Sequence, residues 1–311
     1  MYSNLTSFSE GIDRAFIVIL GITIFLLIAL TITMIVFIFK YREKKHPTPA
    51  KFSKNVPLEI IWSVIPLGIV IAMFYFGWVG FKPMYTDAPD DAMQVKTTAR
   101  MWSWLFEYPN GKKSDTLYVP RGKPVNLNMT SVDVVHSLYI PAFRLKKDVV
   151  PGKEYDMWFI PNSPGRYDLK CAEYCGLRHS YMYTSVVVMP QEKFDNWYTD
   201  TTQAAAGEKK ASPASQGLQV LRTNGCIACH SLDGTERIGP SYKGIYGKEV
   251  TVISDGEERK VTVDEEYIKK SIYKPNAEVV KGYNEGQMQT YEGMISEEEV
   301  DKIVAYLKTL K

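Results

Sequence analysis

Cys171-Ala-Glu173-Tyr-Cys175-Gly-Leu-Arg-His179-Ser-Tyr-Met182 places two thiols, an imidazole and a thioether on one short run, with a carboxylate between the thiols. Soft sulfur with imidazole is the donor set copper prefers, and a weak thioether ligand typically accompanies it at electron-transfer sites. One copper ion needs only one of the cysteines. Two thiolates on a tight loop can instead bridge a pair of coppers, leaving His179 and Met182 as terminal ligands. Such a pair still needs a second imidazole, and the chain has 4 histidines. His230 closes Cys226-Ile-Ala-Cys229-His230, the C-x-x-C-H pattern of c-type haem attachment. His46 falls between two apolar runs, on the other side of a membrane. That leaves His136, directly after the strand-like run that ends near Ser131. A Cys171–Cys175 disulfide is the rival outside the cell, but it leaves His179 and Met182 unexplained.

The membrane is read from charge. Ala15 to Phe39 carries no charged side chain, roughly 37 Å of helix at 1.5 Å per residue. That exceeds a hydrocarbon core of about 30 Å, so the run can span with some tilt. Ile60 to Phe81 is a second uncharged run, interrupted by Pro66, which membrane helices tolerate. The first run is too long for a signal peptide and no small-residue cleavage pattern follows it. Between the runs, Lys40, Arg42, Lys44, Lys45, Lys51 and Lys54 face the single acid Glu43, which places this loop in the cytoplasm. Both termini then lie outside. A net charge of +2 argues against nucleic acid as a partner.

Residues 1–92 therefore form an N-terminal tail and a two-helix hairpin, with spans at about 15–39 and 60–81. From 93 to 198 the pattern becomes short and alternating, as in Val125-Asn-Leu-Asn-Met-Thr130. Turn signals punctuate it at Pro109-Asn-Gly111, Pro120-Arg-Gly122, Pro151-Gly152 and Ser163-Pro-Gly165. Strands at such spacing predict an all-β Greek-key sandwich. The cysteine run is then the loop before a last strand at Tyr183–Met189. Small polar residues over 199–214 read as a linker with an r.m.s. reach on the order of 20 Å. Residues 215–311 turn helical, and Ser296-Glu-Glu-Glu299 is a capping box before Val300, Ile303, Val304 and Leu307.

In the last region, Cys226 and Cys229 are spaced to form thioethers with haem vinyl groups, and His230 follows as the proximal ligand. No further Cys or His completes a zinc shell. Met288, on the irregular segment Gly282–Tyr291, is favoured over Met294 as the second axial ligand. Ser215 to Lys311 resembles a class I cytochrome c through the attachment motif, Arg237-Ile-Gly-Pro240, the Met segment and the C-terminal helix. That resemblance implies an all-α domain and a hydrogen bond from His230 to the Pro240 carbonyl. Gln289 stands where the family often has proline.

Residues 1–200 resemble subunit II of haem–copper cytochrome c oxidase. The resemblance runs through Pro57-Leu-Glu-Ile-Ile-Trp62, Trp102-Ser-Trp104-Leu-Phe-Glu-Tyr108, Asp133-Val-Val-His136-Ser and Cys171 to Met182. It implies a cupredoxin-like domain with a binuclear CuA centre. Cys171 and Cys175 would bridge the coppers, and His136, His179 and Met182 would be side-chain ligands. Glu173 would add its backbone carbonyl, while its carboxylate helps hold Mg²⁺ or Mn²⁺ against subunit I, as suits a hard ion. By the same resemblance Trp102 is where electrons enter, and Glu59 stands at the mouth of a proton channel into subunit I.

Together these features imply an electron-transfer subunit without an oxygen-reducing site of its own. Electrons would pass from covalent haem c to CuA and on to haem in subunit I, where oxygen is reduced to water. The implied partners are subunit I and the other oxidase subunits, with an upstream cytochrome c or a quinol-oxidising complex as donor. The expected location is a bacterial inner membrane, with both soluble domains on the periplasmic or extracellular side. Nitrous oxide reductase shares the copper pattern but carries a large propeller. Quinol oxidase subunit II lacks the copper ligands. A membrane-anchored carrier serving another reductase, and an anchored binding module with plain disulfides, complete the alternatives.

Overall fold

The computed structural model describes residues 4–48, 54–200 and 213–311, so Lys51 and most of the expected linker lie outside the described residues. Two helices open the chain, α1 (Ser9–Lys40) and α2 (Val56–Phe81). The Asn55 side chain caps α2 by accepting from the Leu58 N–H at 3.2 Å, and Pro57 suits its first turn. Pro66 sits inside α2 without ending it. The helices pack on each other but expose apolar side chains on nearly every other face. Helices apolar all round belong in lipid, and both are long enough to cross a membrane. The hairpin is tied to the β domain after it: Arg144 Nε donates to Asp13 Oδ1 at 2.8 Å, and Phe8 meets Trp158 edge-on with centroids 4.9 Å apart.

Ten strands then build the sandwich: β1 (Met93–Arg100), β2 (Ser103–Glu107), β3 (Lys113–Ser114), β4 (Leu117–Pro120), β5 (Val125–Ser131), β6 (His136–Ile140), β7 (Leu145–Val149), β8 (Tyr155–Phe159), β9 (Gly165–Cys171) and β10 (Tyr183–Met189). They form two sheets, ordered β3-β2-β1-β5-β8 and β4-β10-β9-β6-β7. Alternation on β5 turns Val125, Leu127 and Met129 fully inward. Trp104, Phe106, Phe143 and Phe159 fill the space between the sheets, each ring removing roughly 150–250 Å² from water.

Register fixes the ligand run. Cys171 ends β9 and Tyr183 opens β10, paired with Lys170, so the run is a loop pinned at both ends. His136 opens β6 rather than closing β5, and Leu138 pairs with Cys171 across the β6–β9 ladder. Two ligand segments far apart in sequence thus meet at one end of one sheet.

A helix, α3 (Gln191–Thr199), follows the sandwich and takes the first residue expected in the linker. Buried Lys112 donates to the Trp197 and Asp200 carbonyls at its C-terminal end. The last region holds α4 (Pro213–Thr223), α5 (Cys226–Cys229), α6 (Glu265–Tyr273) and α7 (Glu297–Leu307). The two long helices α4 and α7 cross, burying Leu221, Val300, Ile303, Val304 and Leu307. Ser296 and Glu299 form the expected capping box on α7. A three-stranded antiparallel sheet, β11 (Glu249–Ser254), β12 (Glu257–Thr262) and β13 (Val279–Val280), adds to the helical set.

Candidate copper and haem sites

The loop and the start of β6 bring five side-chain donors and a carbonyl together. Cys171 Sγ lies 3.8 Å from Cys175 Sγ and 3.9 Å from His136 Nδ1. Cys175 Sγ is 3.5 Å from His179 Nδ1 and 3.7 Å from Met182 Sδ. The Glu173 carbonyl oxygen stands 3.2 Å from Cys171 Sγ. Both thiols are free and buried, and the ligand atoms of His136, Cys171 and Cys175 all lie within 4.8 Å of one another. This donor set fits soft copper and does not fit a hard, oxygen-seeking ion.

Electrostatics prepare the site. The Asp133 carboxylate accepts from His136 Nε2 at 2.8 Å and from the Met101 N–H at 2.6 Å. That bond fixes the tautomer and leaves Nδ1 facing Cys171 as a free ligand atom. Burial disfavours the charged form of His136, but Asp133 and Cys171 outweigh it and hold the imidazole above the ordinary histidine range. Burial also opposes charge on Asp133, yet bonds from His136 and the Met101 amide hold it below the usual carboxylate range. Of the thiols, Cys171 is held low by its bond with Cys175, which is pushed up by the same bond. The Trp102 indole Nε1 donates to the Cys175 carbonyl at 2.9 Å, so the tryptophan rests on the ligand loop.

A second site lies in the last region. Cys226, Cys229 and His230 open onto a mostly apolar cavity walled also by Ile268, Ile272, Ile303 and Leu307, the kind of lining that suits a largely apolar ligand. Met288 also lines it, while Met294 does not and is exposed. His230 Nδ1 donates to the Pro240 carbonyl at 2.7 Å, leaving Nε2 free for a metal. Burial holds His230 below the ordinary histidine range, against that bond, so the ring stays neutral as a ligand must. Tyr242 stacks on it with centroids 4.5 Å apart. A Cβ on Gly239 would stand 2.4 Å from the ring, so only glycine lets the chain pass. Burial pushes the Cys229 thiol up to about 11, against the charges of Arg178 and Arg237. A mostly apolar cavity with two thiols, a neutral imidazole and a thioether in its lining fits a haem.

Three family models match in sequence order. They are the transmembrane domain of cytochrome c oxidase subunit II over residues 4–77, its periplasmic domain over 112–189, and cytochrome c over 214–311. The chain is similar to cytochrome c oxidase subunit 2 of Alkalihalophilus pseudofirmus, 29% identical over 94% of this chain and 86% of that protein. It is also similar to the alternative cytochrome c oxidase subunit 2 of Bradyrhizobium diazoefficiens, 30% identical over 60% of this chain and 78% of that protein. The chain belongs to the cytochrome c oxidase subunit II family. Among solved structures, the periplasmic domain of subunit II of cytochrome oxidase from Bradyrhizobium japonicum matches 36% of this chain and 94% of that one, at 26% identity and a TM-score of 0.34.

As a subunit II with an appended cytochrome c domain, the chain is a membrane-anchored electron-transfer component that binds copper and haem and works beside subunit I. The residues named for the copper centre and for the haem sit together in two clusters. Glu59 lies apart, exposed in the first turn of α2 at the end of the hairpin away from the sandwich. The Glu173 side chain is exposed beside the copper loop. Two residues escaped the sequence reading. Asp133 is an acid three residues before a ligand histidine, a spacing that hints at an orienting carboxylate. Tyr242 carries no such signal, because its stacking depends on the turn at Gly239.

Proposed function

We propose that this subunit II passes single electrons from a haem c held by Cys226, Cys229, His230 and Met288 to a CuA pair held by His136, Cys171, Cys175, His179, Met182 and the Glu173 carbonyl, and on to subunit I. Haem and copper supply the one-electron chemistry, and the chain's own residues set where and how readily it occurs. The observation that carries this reading is the shared turn between the sites. Met101 lines the haem cavity, and its neighbour Trp102 donates to the Cys175 carbonyl. A reduced donor at one side and the copper loop at the other are thus linked through two consecutive residues.

The remaining parts fit the same reading. The basic loop after α1 faces the cytoplasm, which sets the sandwich and haem domain on the periplasmic or extracellular side. Residues 93–198 form the copper domain and 215–311 the haem domain, joined in one chain. Joining both in one chain makes their encounter intramolecular. The exposed Glu173 carboxylate offers an oxygen ligand for Mg²⁺ or Mn²⁺ at subunit I, and Glu59 stands where a proton channel would open. An upstream cytochrome c or quinol-oxidising complex is the electron donor.

Replacing Cys175 by Ser tests the copper half. It should abolish the copper pair and stop oxidase turnover while the haem still reduces. Turnover with a copper-free sandwich would contradict the reading.

A further inference from the structure

The haem-attachment turn does not stand clear of the sandwich. Cys229 and Ile238 pack against the sandwich core, and a Cβ on Gly225 would lie 2.2 Å from Ser103 Oγ. The end of β1 and the turn after it therefore abut the edge from which Cys226 and Cys229 reach into the cavity. Arg100, the last residue of β1, is buried in this seam at 2% exposure. Its Nε and Nη1 have no hydrogen-bond partner among the described residues. Its guanidinium lies 5.4 Å from the centroid of Tyr291, a residue of the cavity wall. Arg178, on the copper loop, also has a buried Nε without a partner, with its guanidinium 4.6 Å from Tyr181.

Among the described residues no carboxylate forms an ion pair with Arg100, Arg178 or Arg237. The charge of Arg100 acts on the Cys226 thiol, and those of Arg178 and Arg237 act on Cys229. Arg100 is thus a buried guanidinium without a carboxylate partner beside the attachment edge, and Arg178, half-buried, adds a second positive charge from the sandwich side. Arg237, by contrast, is exposed and donates to the Ile227 carbonyl. Leaving a cation buried without a counter-charge is expensive unless something else relieves it.

We propose that Arg100 and Arg178 couple docking of the haem domain to the redox state of its haem, so that the reduced form docks more tightly than the oxidised form. The inference rests on the covalent haem of the proposed function. A ferric centre with neutral His230 and Met288 ligands carries one more positive charge than the ferrous centre. One electron from the external donor removes that charge and eases repulsion across a seam shielded from salt. When the electron leaves for the copper pair, the repulsion returns and the seam loosens. Linkage makes the effect reciprocal: whatever factor reduction adds to docking, docking adds to the ease of reduction. No proton or further reactant is needed.

Spectroelectrochemical titration of the haem in the copper-loaded full chain tests this. Arg100→Gln and Arg178→Gln should each shift the haem midpoint downward, and the double variant further, while Arg100→Lys stays near the parent. Amide exchange over residues 100–104 and 224–229 should be slower in the reduced parent than in the oxidised parent. A parental midpoint in Arg100→Gln, an Arg100→Lys midpoint as low as that of Arg100→Gln, or equal exchange in both redox states would overturn the inference. The copper spectrum of each variant reports that its sandwich is folded. Haem that acid–organic solvent extracts from the parent would overturn the covalent-haem reading and the inference with it. Covalent haem with an unshifted midpoint overturns the inference alone.

Discussion

At the scale of single residues, Asp133 decides how His136 presents itself. Its carboxylate holds Nε2 and the Met101 amide together, so one side chain orients the proposed copper ligand and braces the turn that lines the candidate haem cavity. Asp133→Asn should lower copper affinity about 10- to 100-fold, as loss of a ligand-orienting partner typically does. Competition with a copper chelator measures it, and parental affinity would contradict this role. Met288→Ala should convert the haem to a high-spin or otherwise ligated form, seen in its absorption spectrum. An unchanged spectrum would move the axial role to Met294. The clustering of the candidate ligands was legible because thiols, imidazoles and thioethers are scarce and their compartments could be argued one at a time. Arg100 was not legible. Nothing in its neighbourhood along the chain tells that the end of β1 meets Tyr291.

Secondary-structure elements place these side chains, and their ends are the weak points. The Ser296–Glu299 box starts α7, whose Ile303 and Leu307 wall the haem cavity. Ser296→Ala should cost about 1 kcal/mol, read as a lower thermal midpoint of the haem domain with the copper spectrum unchanged. A parental midpoint would show that the box adds nothing. Lys112, just before β3 and bonded to the C-terminal end of α3, gives a pH test. Burial pushes its amine below the ordinary lysine range, against the pull of Asp200. The folded chain therefore releases this proton at lower pH than the unfolded chain, and stability rises with pH between the two values. Across that alkaline window the parent should gain stability relative to Lys112→Met, whereas equal slopes in urea unfolding would contradict the assignment. The membrane helices and inner strands were readable from uncharged runs and alternation. The pair β11–β12 was not, because Glu257, Glu258, Arg259 and Lys260 are all exposed and blur any period of two. Helix α3 hid between Pro190, where the last strand signal ends, and Thr199, where the linker reading begins.

On the scale of the whole molecule, the chain is a membrane hairpin carrying two redox domains that touch. The Arg144–Asp13 bond and the Phe8–Trp158 contact hold the copper sandwich at the head of the hairpin. The haem domain then leans on the sandwich through Ser103, Gly225 and Cys229. On the proposed path, such an arrangement would keep the copper centre at a set height for subunit I and make delivery from the haem local. The order of domains was legible from composition, but their contact was not, since no periodic or motif signal reports a seam between them. The central claim is that electrons pass from haem to copper inside one chain. It is tested most directly by rapid reduction of the purified, oxidised full chain with a sub-stoichiometric one-electron donor, following both absorption bands. The account predicts that the haem reduces first and then reoxidises in step with copper reduction, at a first-order rate independent of chain concentration. Copper reduction that bypasses the haem, or a rate proportional to chain concentration, would contradict it.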